Sequence, residues 1–355
     1  MKSKARVLIL ILLFAANSSY ARPGGEQQPR PAPLPPPPQP PLAAPLSSYN
    51  IDPAGITISG VSSGGYMAVQ MQVAFSKTFA GAGSVAGGVF WCAEGSSARA
   101  QKECMNHPQG INSEVQINKA QELAKTGSID PLSNLKNHKI YLYASPKDSV
   151  IHPGNSEKLI EFYNAFTSPN NIVYESSIDS AHGFPTLNSG VRCQFAMLPW
   201  ILKCNFDTAG EMLNHLYGSL SARGAMIDSH LSKFSQKDFG GPATPLYKEG
   251  WIYVPKFCSD GGVCKLHMAL HGCQMNPSYI QDKFATLGGY NEWAEANNII
   301  VLYPQSEKIP GDNPYACWDW FGFTGADYVT QSGSQMKALY HMILKVQGKE
   351  VRSEQ

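Results

Sequence analysis

Gly60-Val61-Ser62-Ser63-Gly64-Gly65-Tyr66 decides how the rest of this 355-residue chain is read. Before it stands Gly55-Ile56-Thr57-Ile58-Ser59, a short β-branched run that reads as a strand. After it, Met67-Ala68-Val69-Gln70-Met71-Gln72-Val73-Ala74-Phe75 has helical spacing and no breaker. Strand, Gly-x-Ser-x-Gly and helix in succession is the context in which the pattern means a nucleophile elbow. The turn is too tight for large flanking side chains, so Gly60 and Gly64 flank it and Ser62 is held out at its tip. The same geometry aims the first helix amides, beginning with that of Ser63, at negative charge developing beside Ser62. The plain alternative is a glycine-rich turn that happens to hold a serine; the strand and helix around it weigh against that.

Working outward, residues 81–90 read as a small-residue strand, and residues 117–123 and 157–166 as helices. Lys139-Ile140-Tyr141-Leu142-Tyr143 is a strand that ends in Ala144-Ser145-Pro146-Lys147-Asp148. Ile172-Val173-Tyr174-Glu175-Ser176 is another, ending in Asp179-Ser180-Ala181-His182-Gly183. Strands alternating with helices argue for a parallel sheet. Ser62, Asp148 and His182 each follow a strand, where ligands gather in open α/β sheets. The order Ser, Asp, His is that of α/β-hydrolases and not of the chymotrypsin or subtilisin arrangements. A serine hydroxyl is a poor nucleophile until a base takes its proton, so His182 is the candidate base and Asp148 the group that fixes its tautomer. Asp179 competes for that role, but it shares a loop with His182. An aspartate after a strand is also commonly a turn residue or cap.

An α/β-hydrolase ordinarily places several strands before the nucleophile, yet Ser62 lies near the start of this domain. The missing strands come last: Trp251-Ile252-Tyr253-Val254-Pro255, Leu266-His267-Met268-Ala269-Leu270 and Ile299-Ile300-Val301-Leu302-Tyr303-Pro304. His271-Gly272-Cys273-Gln274 follows the second of these, where esterases carry the loop with a further oxyanion donor. Circular permutation explains the order; a second domain over 246–346 is the alternative, and it would leave the first sheet incomplete.

Residues 1–21 have the form of a secretory signal peptide, with Lys2, Lys4 and Arg6 before the apolar run 7–16 and small residues at a cleavage position after Ala21. Ten apolar residues are too few to span a bilayer. Residues 22–48, dominated by proline, are expected to be a disordered spacer, residues 49–348 the catalytic domain and 349–355 a tail. Loss of the signal peptide takes the net charge from +1 to −2, which leaves no basic field for nucleic acid. Eight cysteines in an exported chain read as four disulfides. Their order suggests local pairs, Cys92 with Cys104, Cys193 with Cys204 and Cys258 with Cys264, which leaves Cys273 with Cys317; other connectivities remain open. No Cys-x-x-Cys pair or histidine-rich cluster points to a metal.

The runs Ser59-Gly60-Val61-Ser62-Ser63-Gly64-Gly65-Tyr66-Met67, Leu266-His267-Met268-Ala269-Leu270-His271-Gly272-Cys273 and Cys317-Trp318-Asp319-Trp320 resemble those of the extracellular poly(3-hydroxybutyrate) depolymerases with a circularly permuted α/β-hydrolase domain. The resemblance covers about residues 49–346. It implies Ser62 as nucleophile, Asp148 as triad acid, His182 as base, and the amides of Ser63 and Cys273 as the oxyanion hole. It also implies that the eight cysteines form the family's four disulfides. Many bacterial relatives append a separate polymer-binding domain, whereas this sequence ends soon after one helix expected over 335–346.

The expectation is therefore a single-domain, circularly permuted α/β-hydrolase with four disulfides. It is a secreted monomer, extracellular or periplasmic, that cleaves hydroxyalkanoate polyester or oligomers without metal or organic cofactor. Trp318, Trp320 and Phe323 are candidate substrate-binding residues, with a core role as the alternative. An esterase for other acyl groups and a non-catalytic binding protein on the same fold are the rival readings.

Overall fold

The computed structural model describes residues 43–241 and 244–350. The signal-peptide and spacer readings fall almost wholly outside the described residues. The last spacer residues are an exception and differ from expectation: the Ser235 amide donates to the Ala44 carbonyl at 2.7 Å, and Leu46 is buried in the core.

The described residues form eleven strands: β1 (Ile51–Val61), β2 (Gly81–Val85), β3 (Lys139–Tyr143), β4 (Ile172–Glu175), β5 (Phe184–Thr186), β6 (Val191–Arg192), β7 (Ile201–Lys203), β8 (Leu231–Ser235), β9 (Glu249–Tyr253), β10 (Cys264–Leu270) and β11 (Ile299–Tyr303). Eight of them form one sheet in the order β4-β3-β2-β1-β10-β11-β9-β8. From β4 to β11 every pair is parallel; β9 and β8 are antiparallel additions at one edge. The first four strands of the chain thus fill one half of the sheet and the last four the other. The chain is a permuted α/β-hydrolase: moving 231–303 ahead of β1 would give the chain order β8-β9-β10-β11-β1-β2-β3-β4, which matches the order in the sheet except that β10 and β11 exchange places. A separate domain over 246–346 is ruled out by β10, which pairs directly with β1 from Ile56↔Leu266 to Gly60↔Leu270.

The sheet is covered on both faces, and the period of two in its strands sorts side chains between them. In β11, Ile300 and Leu302 join the core on the face of helix α1 (Ser63–Ala74), while Ile299, Val301 and Tyr303 join the core on the opposite face. Helix α1 is buried along its whole length, which matches its lack of a polar stripe. Helices Gly154–Asn164 and Ser334–Val346 pack on its side through Leu159, Phe162, Met336, Leu339 and Ile343. Helices Thr208–Tyr217 and Tyr290–Asn297 cover the other face through Met212, Leu213 and Ala294. Four disulfides close Cys92–Cys104, Cys193–Cys204, Cys258–Cys264 and Cys273–Cys317.

Candidate active site

Ser62 sits between β1 and α1 with φ 57° and ψ −121°, a conformation that costs an L-residue roughly 1–3 kcal/mol and must be held by its surroundings. One hydrogen bond and two close backbone approaches around it hold it. The Ser62 amide donates to the Val85 carbonyl at the end of β2 at 2.8 Å. A Cβ on Gly60 would stand 2.2 Å from the Gly64 carbonyl oxygen, and one on Gly64 would stand 2.4 Å from the carbonyl oxygens of both Leu270 and His271. Both glycines are therefore required by close backbone approach. At an ordinary N-cap a serine hydroxyl accepts from the first-turn amides. Here it makes no such bond and meets a histidine instead.

That histidine is His182, beyond the end of β4. Its Nε2 lies 3.0 Å from Ser62 Oγ and its Nδ1 lies 2.8 Å from Asp148 Oδ2. The His182 and Asp148 side chains are 8% and 2% exposed, so the line is nearly dry up to the serine. The other carboxylate oxygen of Asp148 accepts from the amides of Val150 and Ile151 at 2.8 and 2.9 Å, which fixes its orientation. Asp148, rather than Asp179, faces the imidazole. Two residues that the sequence reading did not single out tie the acid and base loops together. Ser145 Oγ donates to the Ser180 carbonyl at 2.7 Å and accepts from the Ser180 amide at 2.9 Å. The Cys193–Cys204 bridge backs the same loop, with the Ala181 amide donating to the Cys193 carbonyl at 2.8 Å.

Ser63 and Cys273 meet beside the serine. The loop after β10 lies so close that a Cβ on Gly272 would be 3.2 Å from Ser62 Cβ. Ser62, Ser63, Gly272, Cys273 and His182 all line one cavity of about 690 Å³. Its walls are mainly apolar, from Tyr66, Met105, Ile151, Trp200, Trp320 and Phe321. That volume suits a small acyl group together with part of a chain.

The aromatic segment needs a correction. Trp318 is fully buried, with its ring 5.3 Å from that of His271, so it is a core residue and not a substrate contact. Trp320 is 6% exposed, stacks on Tyr66 at 4.5 Å and presents part of its ring to the cavity. Phe323 is half-buried and packs on Phe321 at 5.1 Å. The turn carrying these rings hangs on Asp319, whose carboxylate accepts from the amides of Gly322, Phe323 and Thr324 and from the Thr324 hydroxyl. Desolvation raises the Asp319 pKa above the ordinary aspartate value, and these bonds oppose the rise. Among the described residues no group of three or more His, Cys, Asp or Glu converges as a metal site.

A parallel sheet with a strained serine after its central strand, hydrogen-bonded to a histidine and an aspartate from the next loops, defines a serine hydrolase of the α/β-hydrolase class. Residues 43–207 match the prolyl oligopeptidase family model. A poly(3-hydroxybutyrate) depolymerase of Delftia acidovorans is 43% identical over 312 residues, 86% of this chain; the chain spans 62% of that protein's length. A polyhydroxybutyrate depolymerase of Talaromyces funiculosus is 34% identical over 323 residues, 86% of this chain and 93% of that protein. Two solved structures superpose with TM-scores of 0.80 and 0.79 at 33% identity, each over 86% of this chain and 99% of the other. One is an alanine variant of a PHB depolymerase complexed with an R3HB trimer, the other the crystal structure of PHB depolymerase from Penicillium funiculosum. The chain belongs to the polyhydroxybutyrate depolymerase family.

Proposed function

We propose that this chain hydrolyses poly(3-hydroxybutyrate), or oligomers of it, through an acyl-enzyme on Ser62. The observation that carries the reading is the hydrogen-bonded line Ser62–His182–Asp148 opening into a largely apolar cavity. His182 Nε2 takes the proton of Ser62 as its oxygen attacks the ester carbonyl, and Asp148 stabilises the imidazolium at Nδ1. The amides of Ser63 and Cys273 receive the oxyanion, a role worth roughly 10²–10³ in turnover per donor. His182 then protonates the departing alcohol, and water, deprotonated by the same imidazole, releases the hydroxy acid. A short aliphatic ester with a methyl branch has little polar surface, which suits the apolar walls.

The export signal over 1–21, the proline-rich spacer, the domain bounds, secretion and a monomeric state belong to the same proposal. The four disulfides support secretion. Among the described residues no helix is long and apolar enough to cross a membrane. A second reading, cleavage of other acyl or prolyl-peptide bonds, is favoured by the match of residues 43–207 to the prolyl oligopeptidase family. Product analysis after incubation with amorphous polyhydroxybutyrate, a panel of soluble esters and a prolyl peptide separates the two. Release of hydroxybutyrate and its short oligomers is expected, and turnover confined to the other substrates would remove the polyester reading.

A further inference from the structure

We propose that His271 is a positioning residue for the oxyanion hole, holding the Gly272–Cys273 peptide so that the Cys273 amide faces the reacting carbonyl; this rests on the reading of Ser62 as nucleophile. His271 follows the last residue of β10 and is fully buried. Both of its ring nitrogens meet the main chain. The Ser306 amide lies 3.1 Å from Nε2, and an amide can only donate, so Nε2 carries no proton. The Gly272 carbonyl lies 2.7 Å from Nδ1, and a carbonyl can only accept, so Nδ1 carries the proton and donates it. The partners alone therefore fix the tautomer. Burial pushes the imidazole pKa down to about 4, which keeps the ring neutral at ordinary pH.

In a planar trans peptide the C=O and N–H point in opposite directions. Holding the Gly272 oxygen on the imidazole turns the Cys273 N–H the other way, toward the cavity wall shared with Ser62. The Cys273–Cys317 bridge does not do this by itself, because it restrains the side chain of Cys273 and not the rotation of the preceding peptide. Gly272, without a Cβ, offers the least resistance to such a rotation. A flipped peptide would replace an amide donor by a carbonyl oxygen, exchanging attraction for repulsion where negative charge develops. His271 is in turn held from behind: Ser306 Oγ donates to the Ala316 carbonyl at 2.6 Å, and Ala316 precedes the cysteine bridged to Cys273.

Two conservative variants separate positioning from general support. His271→Asn keeps a donor near the Nδ1 position for Gly272, whereas His271→Gln keeps an acceptor for Ser306 and loses the short bond to Gly272. Their kcat and KM on a soluble ester are compared with melting temperatures, with Ser62→Ala as baseline. The expected result for His271→Gln is a kcat lower by about 10²–10³ with KM within a few-fold, and for His271→Asn a recovery of at least tenfold. Equal losses in the two variants, or losses that follow melting temperature alone, would overturn the proposal, as would wild-type kcat in His271→Gln. Turnover that survives in Ser62→Ala would instead remove the nucleophile reading on which it rests.

Discussion

The backbone amide of Tyr49 donates to the carbonyl of Val346 at 2.8 Å, so the first and last parts of the fold lie side by side. Adjacent ends are what permits a chain to be opened elsewhere without disturbing its packing. A chain joining residue 348 to residue 43 by a glycine-serine linker, which keeps the buried Leu46, and opened between the exposed Gly218 and Ser219, would start just ahead of β8 and place the elbow after five strands. It should fold with a melting temperature within several degrees of the parent and keep its ester turnover. A soluble but unfolded product by circular dichroism would count against equivalence of the two chain orders.

The catalytic assignment is tested at each of its residues. Ser62→Ala, His182→Ala and Asp148→Asn should each lower ester turnover by about 10³-fold or more, with circular dichroism unchanged, because such groups act as a unit. Ser62→Gly should in addition raise thermal stability, since glycine relieves the positive-φ strain at that position. A folded Asp148→Asn enzyme with parental turnover would transfer the orienting role elsewhere.

The aromatic segment separates by burial. Trp318→Ala removes a fully buried ring and should cost about 3–5 kcal/mol in urea unfolding, with every activity falling together. Phe323→Ala, half-buried on Phe321, should cost far less stability. It should slow hydrolysis of polymer granules more than that of a short soluble ester. Parallel loss of both activities and of stability would make Phe323 a core residue as well.

Acid should unfold this protein through its buried histidines. Burial lowers the pKa of His138 to about 4, of His267 to about 3 and of His271 to about 4, against 6.5 for the free side chain. Between those values the unfolded chain binds more protons than the folded one, so stability is full above about pH 7 and falls as pH drops below 6.5. Each group adds a slope of about 1.4 kcal/mol per pH unit. Urea midpoints from pH 7.5 to 5 should show the fall, and His138→Gln should flatten it by about one proton's share. Carboxylate effects common to both proteins cancel in that difference. An unchanged slope would mean that His138 is protonated in the folded state.

The association of Ser62, His182 and Asp148 was legible in the sequence because each follows a strand with a clear β-branched or aromatic run. The permutation was legible for a similar reason: Leu266-His267-Met268-Ala269-Leu270 could only be a strand, and its His-Gly exit was out of usual order. Contacts between distant loops left no such mark. The double hydrogen bond of Ser145 with Ser180 joins two unremarkable serines, and the three-stranded sheet of β5, β6 and β7 is built from runs of two or three residues. β8, Leu231-Ser232-Lys233-Phe234-Ser235, lies at the sheet edge, where half its residues meet solvent and no apolar run is needed. Trp318 and Phe323 belong to one aromatic cluster in sequence, and only tertiary burial distinguishes them.

Gly64 belongs to a five-residue pattern, yet what forbids a side chain there is the backbone of Leu270 and His271, two hundred residues away. The signature is thus one half of a lock whose other half is the exit of β10. Anyone transplanting this catalytic apparatus to a new scaffold has to carry the two segments together, at fixed spacing, or the pentapeptide arrives without the surface that gave its second glycine a purpose.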